Sequence, residues 1–304
     1  MKFFKNHPIL FILAMASLLH SSCDIINPDE QIPSYIQIDS ITVGTNLNAN
    51  AGSTSSNIVD AWVFIDDEMI GIFELPAKIP VLSSGKHKLT IGPGILISTV
   101  STLRENYLFY NAYIDNDFQL NEGEITQVNP KITYRDASST YEYIVVEDFE
   151  QAFVVLDSFS GSQQPITKTK DPQKVFEGSG SGLVSILQSD SVAVFKTPNY
   201  ELPGSGKAVY LEVNYKSDFA ITIGVFANNK GYKNEVVDLV TLLSTTDDED
   251  EKAWKKAYIE LTSVTSAAAN PEDFYIFFSA RIENDALRKN GELLIDNIKL
   301  LYQK

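Results

Sequence analysis

From Ser34 onward the chain is written in short runs of alternating apolar and polar residues, punctuated by Gly, Pro, Asn and Asp, and nowhere does it sustain a helical period. That pattern constrains the fold most, because a two-residue period places successive side chains on opposite faces of a strand. "YIQIDSITV" sets Tyr35, Gln37 and Asp39 against Ile36 and Ile38, with Ile41 and Val43 beyond. "VDAWVFIDDEMIGIFELP" reads as two strands around an Asp66-Asp67-Glu68 turn, and "VLSSGKHKLTIGPGI" as a Gly-marked turn and another strand. After Tyr143 come "IVVEDFE", "GLVSILQ", "SVAVFKTP", "KAVYLEVNY", "FAITIGVFA", "VVDLVTLL", "WKKAYIELT", "DFYIFFSAR" and "ELLIDNIKLLY". No amphipathic helix stands between these runs, which excludes a parallel α/β sheet. The expectation is all-β: a small sandwich over 34–134, a polar linker at 135–143 ("RDASSTYEY"), and a second sandwich over 144–304.

The stretch "WVFIDDEMIG", Pro76 or Pro80, then "SGKHKLTI" resembles a PEGA-type or similar small Ig-like module, with Asp67-Glu68 where the first turn usually has Gly. The resemblance implies a spacer or interaction module. The second block, with "EDFE" at its opening, "FEGSGSGLVSI", "WKKAYIEL" and the closing "IDNIKLLY", resembles a galactose-binding-like jelly roll, the fold of many carbohydrate-binding modules. Such folds host many ligands, so the resemblance implies sugar binding without naming a sugar. It also implies one structural Ca²⁺ where the first and last strands meet, with Glu150 and Asp296 as ligands and Asp148 as their neighbour. The competing reading is that these carboxylates are solvated or cap turns.

The N-terminus has a separate logic. Lys2 and Lys5 precede an apolar run from Ile9 to Leu19, then Ser21, Ser22 and Cys23, the one cysteine of the chain. Residues 1–22 read as a secretory signal peptide, too short to span a bilayer, which takes roughly 20 apolar residues. "SSC" after an apolar run resembles a bacterial lipobox of the Bacteroidetes type, although His20 stands where Leu is usual. The resemblance implies acylation of Cys23, followed by a tether over 23–33. A disulfide lacks a second cysteine, and zinc lacks ligands.

Composition narrows function further. A net charge of −16 repels nucleic acid, whose binding rests on neutralising phosphates. Of three His residues, His7 and His20 lie in the signal peptide, leaving His87 in a Lys-His-Lys strand start. That removes His-based metal clusters and leaves one surface His for any nucleophilic triad. Accidental carboxylate pairs are unavoidable among 40 acids, so they do not signal a glycosidase. The acidic run Asp247–Glu251 lacks EF-hand spacing and reads as a solvated loop.

Aromatic rings are the natural contacts for a pyranose face. Tyr200 in "TPNYELPG" and Tyr232 in "NNKGYKNE" read as exposed on loops, while Trp254 opens a strand and is weighed between core and ligand. "ENYLFYNAYIDNDF" reads as a strand pair covering the first sandwich, or alternatively as a partner-binding patch. The resulting expectation is a non-catalytic outer-membrane lipoprotein, able to face the cell exterior, held in the membrane through acylated Cys23. Its jelly roll would capture polysaccharide, no cofactor being required beyond the structural Ca²⁺. The alternative is an envelope assembly subunit whose partner is another protein.

Overall fold

Alternation in the sequence becomes burial in the structure. The computed structural model describes residues 30–97, 103–159, 162, 164–187, 192–246, 253–281 and 290–304. The expected signal peptide at 1–22, Cys23, the expected tether up to residue 29 and the acidic run Asp247–Glu251 lie outside these described residues.

The first block contains Ser34–Ile38 (β1), Thr42–Gly44 (β2), Ile58–Ile65 (β3), Glu68–Glu74 (β4), Ala77–Val81 (β5), Gly85–Leu96 (β6), Arg104–Asn106 (β7), Tyr113–Leu120 (β8), Ile125–Val128 (β9) and Lys131–Thr133 (β10). One sheet runs β4-β3-β6-β7, with β8 also on β6; opposite lie β5-β1-β9 and the pair β10-β2. In β3, Ala61, Val63 and Ile65 face the core while Trp62 and Phe64 face outward. The β3–β4 turn succeeds without Gly because Asp66 and Asp67 both take left-handed backbone, φ 50° and 66°, as a two-residue hairpin turn requires. The next strand holds it there. Lys88 N–H donates to Asp66 Oδ1 at 2.8 Å, and the His87 ring nitrogen Nδ1 lies 2.7 Å from Asp66 Oδ2. His87 therefore braces a turn.

The second block contains Tyr141–Glu147 (β11), Asp157–Ser158 (β12), Thr167–Thr169 (β13), Ser181–Leu187 (β14), Val192–Lys196 (β15), Val209–Ser217 (β16), Ile221–Asn229 (β17), Glu235–Leu242 (β18), Lys255–Glu260 (β19), a short helix at Thr262–Ala267, then Pro271–Arg281 (β20) and Asn290–Gln303 (β21). Two sheets pack face to face: β13-β14-β21-β16-β19, with β11 also on β21, and β12-β15-β20-β17-β18. Phe195, Ile223, Val225, Ile276, Phe278, Ile295 and Leu300 fill the space between them. Both blocks are sandwiches, as expected for an all-β chain.

The two blocks do not meet through a free linker. Within 135–143, Arg135 N–H donates to Phe109 O and Ala137 N–H to Asn48 O, and β11 begins at Tyr141. Tyr143, Tyr210, Tyr258 and Leu301 of the second block belong to the core of the first. Ile97, just past β6, bridges to Tyr258 in β19. The Tyr-rich stretch does not form a covering strand pair along its length. Tyr107, Phe109 and Tyr110 leave β7 and are buried against the second block, and β8 starts only at Tyr113. Their rings meet edge to face, Tyr107 with Tyr210 at 5.4 Å and with Tyr258 at 5.0 Å.

Beneath those rings lies a charged cluster. Glu212 is fully buried and accepts hydrogen bonds from Tyr107 (2.8 Å) and Tyr134 (2.7 Å). Lys256 Nζ stands 2.9 Å and Lys299 Nζ 3.8 Å from the same carboxylate. Lys299 also donates to Ser53 O and, at 3.3 Å, to Tyr134 Oη. Burial pushes Glu212 toward neutrality, but the two lysines outweigh it and hold the carboxyl below its ordinary range. Lys299 is the weaker partner: burial, then the charge of Lys256, draw it down to about 7.

Candidate functional site

The strand β20 is apolar on both faces, and this creates the site. Phe274, Ile276, Phe278 and Ala280 point into the sandwich, so by the two-residue period Asp273, Tyr275, Phe277 and Ser279 face outward. The neighbouring strands match them. Phe226 of β17 stands opposite Tyr275 on one side and Val236 of β18 on the other. Val194 of β15 stands opposite Ser279, and Lys196 opposite Phe277.

The rings are ordered by what lies beneath them. Phe226 and Tyr275 stack nearly parallel, centroids 4.7 Å apart at 6°. A Cβ on Gly224 would collide with the Phe277 ring and with the Val237 carbonyl oxygen, so this glycine leaves the space into which Phe277 settles. Lys196 Nζ sits 4.5 Å above the Tyr275 ring centre, a contact of about 0.5–1 kcal/mol at an exposed position. Phe159, just past β12, closes the other flank at 6.4 Å from Tyr275.

Together Phe159, Val194, Phe226, Val236, Tyr275, Phe277 and Ser279 line a groove of about 310 Å³. Phe159 is 40% and Val236 62% exposed. Apolar surface left open to water forgoes roughly 25 cal/mol for each Å² that could have been covered, which makes the groove a candidate for binding. Burial raises the Tyr275 phenol above its ordinary value, and the Lys196 ammonium over its ring brings a positive charge to the groove. One end is polar: Asp273 accepts from Asn199 Nδ2 at 2.9 Å and from Asn228 Nδ2.

Sequence-predicted residues fall around this groove unevenly. Tyr232 is 65% exposed at the tip of the β17–β18 hairpin, the same hairpin that supplies Phe226 and Val236. Tyr200 is not the free loop ring expected. Its backbone bonds to Phe274 in both directions, and its side chain is half-buried on the core; burial, then the nearby Glu147, raises its phenol. Trp254 is half-buried against Phe176, centroids 5.1 Å apart. Phe226, Tyr275 and Phe277 were not singled out, because "DFYIFFSAR" and "ITIGVFA" read as core strands without indicating which face is covered. Their signal is that four strands carry apolar residues at outward positions too.

The calcium residues are occupied differently. Asp148 Oδ1 accepts from Glu150 N–H at 3.1 Å, and Glu150 Oε1 from Ser179 N–H at 2.8 Å. Asp296, fully buried, accepts from the Ser181 hydroxyl at 2.6 Å and from Asn297 N–H at 2.8 Å. The structure brings Glu150 and Glu177 close enough to Asp296 to act on its charge, yet among the described residues no three His, Cys, Asp or Glu side chains form a group able to hold a metal ion.

No protein-family model and no curated protein matches the chain. Among solved structures, the CBM22-1 xylan-binding domain of Paenibacillus barcinonensis Xyn10C aligns over 55% of this chain and 99% of its own at 7% identity, TM-score 0.39. The family 11 carbohydrate-binding module from Clostridium thermocellum, in complex with a β-1,3-1,4-mixed-linked tetrasaccharide, aligns over 54% and 96% at 15% identity, TM-score 0.34. The C-terminal family 22 module of Clostridium thermocellum Xyn10B aligns over 55% and 96% at 12% identity, TM-score 0.35.

Proposed function

We propose that this protein is a membrane-anchored, non-catalytic lipoprotein that captures glycan at the cell surface through the outer face of its second sandwich. The observation that carries the reading is the apolar groove on that face, where Phe226 stacks on a largely buried Tyr275 with Phe277 and Phe159 beside them, ending at the Asn199, Asp273 and Asn228 side chains. Flat apolar rings suit the C–H face of a pyranose, and polar groups at the border suit its hydroxyls. Tyr232 stands exposed at the tip of the hairpin that carries Phe226 and Val236. Acylated Cys23 would hold the protein in the outer membrane with its folded part facing outward, and several acyl chains would make that anchorage firm.

The alternative, an envelope subunit recognising another protein, needed an open Tyr-rich patch at 107–113. Tyr107, Phe109 and Tyr110 are buried against the chain's own second block, which weakens that reading. The test is affinity electrophoresis of the full chain in mild detergent on plant, algal and host polysaccharides. Retardation on at least one polymer, weakened about tenfold or more by Phe226→Ala, supports capture through the groove. Retardation on none of them sinks it and directs attention to cross-linking in the envelope. Loss of lipid labelling and of membrane association in Cys23→Ser tests the anchor.

A further inference from the structure

The outer face of the first sandwich carries a second open surface, on the other block from the groove. Residues directly opposite in an antiparallel pair share a face, so Ile72 and Met69 of β4 lie beside the outward rings of Trp62 and Phe64 in β3. Ile114 of β8 continues that face beyond Thr90. Met69 is 45%, Ile72 44% and Ile114 55% exposed. Trp62 lies low on the sheet because Gly94 has no side chain: a Cβ there would stand 2.9 Å from the indole nitrogen.

Strand β4 is also the edge of its sheet, and among the described residues no strand pairs with its outer side. Leu75 N–H donates to Val59 O, and from that bond the antiparallel ladder alternates. Phe73 and Gly71 therefore bond to β3, while the N–H and C=O groups of Ile72 and Glu74 turn to the open edge. The register shift after Val63 puts a bulge at Ile70, so the pairable stretch is short, from Gly71 to Glu74. Edges that must stay unpaired commonly carry Lys or Pro. The run EMIGIFE, Glu68–Glu74, has neither.

The charges at its two ends say what fits. At one end Asp66, Asp67 and Glu68 stand against Lys88 and His87, whose ion pairs go to Asp67 and Asp66 and leave Glu68 unmatched. At the other, Asp60 and Glu74 share Arg104. Acid outnumbers base at both. A second copy is a poor occupant, because no antiparallel register of two β4 strands sets an acid of Glu68–Glu74 opposite a base. We infer that β4 is a docking edge for an extended peptide segment of a partner protein, with apolar residues in its middle and Lys or Arg at its flanks. The backbone of that segment pairs with Ile72 and Glu74, its apolar side chains cover Ile72, Met69 and the Trp62 ring, and its basic flanks meet Glu68 and Glu74. Glycan capture by the other sandwich neither requires nor excludes it.

The experiment selects heptapeptides from a random phage-displayed library on the immobilised full chain in mild detergent, then measures the enriched peptides as synthetic probes by fluorescence anisotropy. The expected result is enrichment of alternating apolar sequences flanked by Lys or Arg. Their binding should weaken about tenfold or more in Glu68→Lys and in Ile72→Lys, neither of which lowers Tm, since both side chains are open to solvent. Hydrogen exchange over residues 68–75 should slow with the probe bound, which separates pairing at the edge from contact elsewhere. Enriched peptides without basic flanks, binding that both variants leave within about twofold of the parent, or no enrichment at all overturns the inference. A parent dimer that Ile72→Lys dissociates gives the edge to a second copy, and polysaccharide retardation lost in Trp62→Ala gives the face to sugar; either result also overturns it.

Discussion

Tyr107 of the first sandwich donates a 2.8 Å hydrogen bond to Glu212 of the second, 105 positions away, and both side chains are almost wholly excluded from solvent. The bond joins a loop after β7 to the middle of β16, so the two sandwiches share one polar centre inside a common apolar seam.

Removing the partners of Glu212 should therefore cost stability in a ranked way. Tyr107→Phe deletes one bond to a charged group and is expected to cost about 1.5–3 kcal/mol. Glu212→Gln leaves Lys256 and Lys299 buried without a counter-charge and is expected to cost about 3–5 kcal/mol. Chemical denaturation reads both. A Glu212→Gln protein within about 0.5 kcal/mol of the parent would mean that the cluster is solvated.

Lys299 makes stability depend on alkaline pH. Its folded value, about 7, lies below the ordinary lysine value of 10.5, so between those limits the unfolded chain binds more protons and stability rises with pH. The penalty is present in full below the folded value and is relieved as pH climbs toward the unfolded one. The groups acting on the ammonium are Lys256, Glu212 and Glu177, and Tyr134 accepts from it. Denaturation midpoints from pH 7 to 10 are expected to climb in the parent and to climb less in Lys299→Met; parallel curves would remove Lys299 as the cause.

The three aromatic candidates should separate by assay. Tyr232→Ala is expected to weaken glycan binding about two- to fivefold with no change in stability, since its ring is open to solvent at the hairpin tip. Tyr200→Ala should lower Tm, because its ring packs on the core. Trp254→Ala should lower Tm through loss of the Phe176 contact and leave binding intact. Binding lost in Trp254→Ala alone would move the site to the other sheet.

Calcium gives a fourth check. A ligand that binds the folded state raises Tm by mass action. With the Asp148, Glu150 and Asp296 oxygens already accepting from neighbouring donors, chelator and millimolar Ca²⁺ are expected to give the same Tm. A rise in Ca²⁺ that Asp296→Asn abolishes would restore the ion to that seam.

The all-β class and the positions of most strands were legible because burial on one face imposes a two-residue period, visible in "YIQIDSITV" as in β1. Three features were hidden by the same logic. In "DFYIFFSAR" both faces are apolar, so period alone could not separate inward Phe274 and Phe278 from outward Tyr275 and Phe277. Glu212 and Lys299 stand singly in apolar strands, Lys256 stands beside Lys255, and all three look like solvent-facing alternates; the face they occupy is covered by the other block, which no local pattern reveals. The Tyr-rich stretch suggested a partner surface with some justice, but the partner is the second half of the chain. Cys23 lies outside the described residues.

The charged seam also bears on inheritance. A sandwich that hides Glu212, Lys256 and Lys299 only in company with Tyr107 and Tyr134 is not a cassette that recombination could move to another chain or duplicate alone. On its own the second half would expose Glu212, Lys256 and Lys299 to water, and the first half the bare rings of Tyr107 and Tyr134. What selection can copy, lose or fuse is the pair, and the orientation of one sandwich on the other travels with it.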